Sequence, residues 1–111
     1  MEIIWSNIAT KHLKSILEYV ENEFGENTAA KTLSKISDKV ERLSSYPTSG
    51  IIDEKYSTSS YIVRHITIAP NIIYYLCYPD AIVIAVIVHS KQSPRTINLV
   101  LSKHPTPILV V

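Results

Sequence analysis

Between Tyr61 and His89 the chain packs three strand-like runs, Tyr61–Ile68, Ile72–Tyr78 and Ala81–His89, separated only by Ala69-Pro70-Asn71 and Pro79-Asp80. Links this short cannot carry a crossover, so an antiparallel meander is predicted. Alternation puts Ile62, Arg64, Ile66 and Ile68 on one face of the first run and Tyr61, Val63, His65 and Thr67 on the other. Alternation through the last run groups Ile82, Ile84, Val86 and Val88 against Val83, Ala85 and Ile87, so both faces are apolar and both need cover.

Two amphipathic helices precede the meander. Glu2–Trp5 reads as a short strand, and Ser6 or Asn7 as the residue that caps the first helix. Ala9, Leu13, Ile16, Leu17, Val20 and Phe24 then draw one apolar stripe, which Gly25 ends. Asn27 or Thr28 can cap a second helix with the matching stripe Ala29, Leu33, Ile36, Val40 and Leu43, terminated before Pro47. So short a link implies an antiparallel pair. Asp38 and Arg42, four apart, are expected to form a solvated pair on its surface. Ser44–Ser60 has the composition of a mobile surface loop.

The expected fold is therefore α+β: an N-terminal strand, then a helix hairpin packed on a mainly antiparallel four-stranded sheet. At 111 residues and 46% hydrophobic content the chain supports one domain with a real core. One face of the sheet rests on the hairpin. The other would be covered by the apolar tail Pro107–Val111, by a second copy in a homodimer, or by another protein.

Several function classes are excluded or weakened. A net charge of +1 provides no strong field for nucleic acid or an anionic membrane, so any such contact must come from a local patch. The longest apolar run, Ala81–Val88, is too short to span a bilayer. The lone Cys77 forms no internal disulfide and reads as packing in a reducing, cytoplasmic setting. There is no phosphate-binding glycine loop, no paired cysteine, no His-Glu-x-x-His and no Gly-x-Ser-x-Gly, so no metal or other cofactor is expected.

What remains is a sparse polar set. Arg64 shares a face with three isoleucines and must find an anion or hydrogen-bonded partner if that face is buried, unless it snorkels to water. His89 closes the last strand, as a structural histidine or as an acid or base. Lys91 follows it, as a phosphate contact or an ordinary exposed lysine. His12 and His104 read as a helix-surface and a tail residue. Tyr74 and Tyr78 share a parity, either as core or as an aromatic ledge for a partner.

The opening strand ending in Trp5, Ala9, Leu13 and Ile16 on the first helix, Ala29-Ala30-x-x-Leu33, Leu43-x-x-x-Pro47-x-x-Gly50, Arg64 and the stretch from Tyr75 to His89 together resemble the RelE/ParE superfamily of toxins. The resemblance spans residues 1–93, one toxin domain, and leaves 94–111 as a tail of unknown role. It implies a type II toxin neutralised by a small antitoxin, a partner met by a basic patch of Arg64, Lys91 and Arg95. ParE-like members inhibit DNA gyrase, and RelE-like members cut messenger RNA on the ribosome. In a ribonuclease, Arg64, His89 and Lys91 would form the catalytic set, with His89 as acid or base and the two cations on the phosphate. That equipment is thin: Ile72 and Ile73 stand where RelE-like nucleases tend to carry arginine, and no glutamate lies on the meander. The reading adopted is a ParE-like gyrase inhibitor; the alternatives are the ribonuclease and an inactive toxin remnant that only binds its partner.

Overall fold

The structure is a computed structural model that describes residues 1–90. The elements run β1 (Glu2–Trp5), α1 (Asn7–Phe24), α2 (Glu26–Ser45), β2 (Ile51–Ile52), a 3-10 turn (Glu54–Tyr56), β3 (Ile62–Ile68), β4 (Asn71–Cys77) and β5 (Ala81–His89). The sheet order is β1-β5-β4-β3-β2, antiparallel throughout except for β1, which lies parallel to β5. The α+β class and the meander hold. There are five strands rather than four, because Ile51–Ile52 pairs with His65 and Arg64 and turns part of the anticipated loop into an edge strand. The rest of that segment is tied down: Ser57 Oγ donates to the Asp53 carbonyl at 3.0 Å and accepts from Val63 N–H at 2.9 Å.

The hairpin turn is tighter than the capping pattern suggests. Gly25 alone joins the helices, with φ 94, a left-handed backbone that a residue with a Cβ adopts at a cost. Its N–H donates to the Glu21 carbonyl and its carbonyl accepts from Ala29 N–H, so one residue ends α1 and starts α2. Neither Asn27 nor Thr28 is the cap. At the other end Ser6 caps α1, its Oγ accepting from Ala9 N–H at 2.9 Å.

One core lies between hairpin and sheet, built from Ala9, Ile36, Val40 and Leu43 on the helices and Ile68, Ile73, Tyr75, Ile82, Ile84 and Ile87 on the strands. Burial is confined to the first half of α1 and the second half of α2, and the hairpin tip runs past the sheet. Phe24 and Leu33, expected in the stripes, are therefore 64% and 41% exposed. The opposite face holds a second cluster, Val63, Tyr74, Leu76, Val83, Val86 and Val88 among them. These residues are buried in the structure. The tail Pro107–Val111 lies outside the described residues.

Side-chain parity along β5 changes midway. Tyr74 faces Val86 and Tyr75 faces Ile84, leaving Ala85 as an extra residue, a β-bulge. After it the parity inverts: Ile87 joins Ile82 and Ile84 on the helix side, while Val86 and Val88 join Val83 on the other. Simple alternation cannot anticipate this. The bulge sits where β1 has ended, for β1 pairs only with Ala81 to Ile84. Ser6, fully buried, donates its hydroxyl to the Ala85 carbonyl at 2.7 Å, and His12 Nδ1 accepts the Ile87 N–H at 3.1 Å. Thus α1 supplies the hydrogen bonds that a longer β1 would have made.

Ser6→Ala removes the cap and strands the Ala85 carbonyl; a loss of about 2–3 kcal/mol in urea unfolding is expected. His12 adds a pH dependence. Burial lowers its pKa from the ordinary 6.5 by penalising the charged ring, and a protonated ring could not accept from Ile87. The unfolded chain takes up the proton first, so this contribution is intact above pH 6.5 and declines as pH falls below it. A His12→Asn variant, whose amide oxygen accepts without titrating, should unfold with a flatter acid limb in thermal melts recorded across that range.

Candidate functional site

Arg64 faces the hairpin side of the sheet, as its parity predicts, and there it anchors the loop between α2 and β2. Its Nη1 donates to the Gly50 carbonyl at 2.9 Å and the Thr48 carbonyl at 3.2 Å, and its Nε is buried without a partner among the described residues. Tyr75, across β4, completes the clamp: its hydroxyl donates to the Pro47 carbonyl at 3.0 Å and accepts from Gly50 N–H at 2.9 Å. A Cβ at Gly50 would overlap that hydroxyl and lie 2.8 Å from the His65 carbonyl oxygen. Cys77 completes the floor. Its thiol reaches the Pro47 carbonyl at 3.8 Å, and burial raises its pKa against the opposing pull of Arg64. Burial likewise raises Tyr75.

His89 ends β5 opposite Asn71 and is exposed, whereas Arg64 pairs with Tyr75. Two strand spacings and four residues of β4 separate the two, roughly 16 Å between backbones. Arg64 also points toward β2, at the edge of the sheet away from β5. The described residues therefore do not bring Arg64 and His89 to one point. Lys91 and Arg95 lie outside the described residues.

The closest acid–base pair lies elsewhere. His65 Nδ1 and Asp53 Oδ2 are 2.6 Å apart, each side chain about a fifth exposed, and the His65 ring tilts against Tyr74 at 5.5 Å. With Nδ1–H held by the carboxylate, Nε2 is the nitrogen left to exchange a proton. Burial and then the Asp53 charge raise the pKa of both Tyr56 and Tyr74, so these phenols stay neutral donors. Tyr61 and Tyr78 stack 5.4 Å apart further along this face. Of the tyrosines anticipated as core or ledge, Tyr74 is core at 8% exposed, and Tyr78 is half-buried against the same cluster. Sequence reasoning missed the His65–Asp53 pair because only the register Ile51↔His65 brings the loop aspartate beside β3.

It also missed a signal that the sequence does carry. Lys31, Lys35, Lys39, Arg42 and Tyr46 recur every three or four residues of α2, all exposed, in one row beside the buried face. No ion pair between Asp38 and Arg42 forms; among the described residues the only pair is Asp53–His65. At the C-terminal end of the row a recess of about 370 Å³ opens between Lys39, Arg42, Tyr46 and Ser49, floored by Leu43 and Ile66. A second groove of about 460 Å³ runs between α1 and α2, lined by Leu13, Leu17 and Leu33 with Lys14, Glu18 and Glu21 at its rim. Among the described residues no group of three or more potential ligands could hold a metal ion, and no helix is long and apolar enough to cross a membrane.

A helix hairpin on one face of a meander sheet with a parallel N-terminal edge strand defines the RelE/ParE-like toxin fold, with its loop clamped by arginine and tyrosine. Comparison agrees: a family profile described as "ParE toxin of type II toxin-antitoxin system, parDE" matches residues 3–94, and the chain belongs to that family. A solved structure described as "Chromosomal ParDE TA system from P. aeruginosa" is similar in fold, with a TM-score of 0.66 and 22% sequence identity, covering 80% of this chain and 95% of that one. No curated protein matches the sequence.

The clamp makes a direct prediction. Tyr75→Phe leaves Gly50 N–H buried without its acceptor and should cost about 1–3 kcal/mol in chemical denaturation. Gly50→Ala should be worse, and pairing it with Tyr75→Phe, which vacates the space, should recover part of the loss.

Proposed function

We propose that the protein is the toxin of a type II toxin–antitoxin module, neutralised by a cognate antitoxin and acting in the cytoplasm by ParE-like inhibition of DNA gyrase. Membership of the ParE family supports the first part of this reading. The second rests on the state of Arg64. Cleaving RNA through its 2′-hydroxyl requires a base, an acid and a cation converging on one phosphate. Arg64, the cation best placed by sequence, instead has its Nη1 committed to two loop carbonyls, on a strand separated from that of His89 by β4. A gyrase inhibitor needs no such convergence, since its work is binding.

The ribonuclease reading keeps one supporting observation, the Asp53–His65 pair, a carboxylate and an imidazole within hydrogen-bond distance of each other. It has no assigned phosphate cation beside it among the described residues except Lys55, whose ammonium lies 5.6 Å from the centre of the Tyr56 ring.

Purified protein added to a supercoiling assay is expected to inhibit gyrase, and induction without the antitoxin should give DNA breaks and filamentation. An Arg64→Ala, His89→Ala double variant that still folds should keep that inhibition. Unchanged supercoiling, together with discrete cuts within codons in primer extension on cellular messages, would replace gyrase by the ribosome. Loss of those cuts in His65→Ala would then identify the base.

A further inference from the structure

We propose that the basic row of α2, with the recess at its C-terminal end, is the seat of an extended acidic segment of a partner polypeptide that also inserts an apolar anchor residue. The proposal rests on the toxin–antitoxin reading, and the segment is assigned to the antitoxin. Three observations carry it: the cations, the floor and the width of the row.

Lys31, Lys35, Lys39 and Arg42 stand three or four residues apart, so neighbouring Cβ atoms are about 5–6 Å apart along one line. None of the four has an anionic partner within the described residues, although Asp38 is within reach of Arg42 in sequence. A row of like charges left unpaired destabilises its own helix, and an acidic partner relieves it. The net charge of +1 means that this is a local property of α2 and not an excess carried by the whole chain.

The recess is not built like an anion site. Leu43 and Ile66 form its floor, and Tyr46, 63% exposed, stands at its rim between the cations and Ser49. An apolar side chain placed there would be buried on three sides, the environment in which interface anchors gain most. A sugar–phosphate backbone offers nothing to that floor. Helical geometry puts Asp38 about 20° from Lys31 and Glu41 about 80° from it toward solvent, so carboxylates bound the positive strip on that side. A single line suits one extended chain of carboxylates better than the broader phosphate array of a duplex. The groove between the helices lacks this signature, since Lys14 is offset by Glu18 and Glu21.

The test titrates the full chain with the polypeptide encoded by the adjacent reading frame, at low and high salt. A Lys39→Glu, Arg42→Glu variant should bind at least about tenfold more weakly and with a shallower salt dependence, because fewer charge pairs remain to be screened. Tyr46→Ala should weaken binding with the salt dependence unchanged. Lys11→Glu, Lys14→Glu on α1 is the control for bulk charge and should bind as the unaltered chain does. If the α2 double variant fails to fold, Lys35→Glu, a single exposed change, provides the same reading with a smaller loss. Tight binding insensitive to these α2 changes, or weakened equally by the control, would overturn the seat while leaving the toxin–antitoxin reading intact. No binding by the unaltered chain would overturn both. Variants that keep the polypeptide but lose a single-stranded RNA oligonucleotide would give the row to nucleic acid and overturn the proposal.

Discussion

Beyond Ile84, no strand among the described residues lies beside β5 on the β1 side, because β1 ends at Trp5. A buried strand edge leaves donors and acceptors that water cannot reach, and each orphan costs on the order of 1–3 kcal/mol. The first turns of α1 resolve this. The Ser6 N–H donates to the Ile84 carbonyl, the Ser6 hydroxyl to the Ala85 carbonyl, and His12 receives the Ile87 N–H. The same Ser6 oxygen caps α1 by accepting from Ala9 N–H. One fully buried hydroxyl thereby sets where the helix begins, how it sits on the sheet and where β5 bulges. Hairpin placement, the inverted parity of Ile87 and Val88, and the core between the layers all follow from it.

A second fixture operates at the opposite edge. The loop after α2 would otherwise hang free, since β2 contributes only two residues to the sheet. Arg64 and Tyr75 reach it from β3 and β4 and bind the Pro47 to Gly50 backbone on both sides. Gly50 is needed because the tyrosine hydroxyl occupies the space a side chain would fill. The Leu43-x-x-x-Pro47-x-x-Gly50 pattern and Arg64 are thus parts of one device. An arginine that reads in sequence as a candidate for phosphate chemistry has its Nη1 held by two loop carbonyls, which weakens any mechanism that also needs it at a reacting phosphate.

What the sequence discloses divides along physical lines. The meander is readable because Ala69-Pro70-Asn71 and Pro79-Asp80 leave no room for another connection, and the helices are readable because their stripes keep a period near 3.6. The β5 bulge is hidden: Ile82 to Val88 is apolar at every position, so no polar residue marks where the parity slips. Ile51-Ile52 is too short to count as a strand until β3 pairs with it. Asp53 beside His65 depends on that pairing and is equally invisible. The basic row on α2 is different, for its spacing is plain in the sequence, but each lysine alone looks like an ordinary solvated charge. Only the absence of partners and the recess under Leu43 and Ile66 separate it from one.

The second face of the sheet sharpens the argument about partners. Its residues, from Val63 to Val88, are buried in the structure. Apolar surface that is still exposed lies on the helix tip at Tyr19, Phe24 and Leu33, and at the β2 corner around Ile51, Ile52 and Ile62, with Tyr46 between the two regions at the end of α2. Unpaired positive charge is concentrated on the same helix. A partner drawn to exposed apolar area and to opposite charge finds both along α2. The helix layer then does two jobs with two faces: one holds the sheet, and the other is left to be recognised.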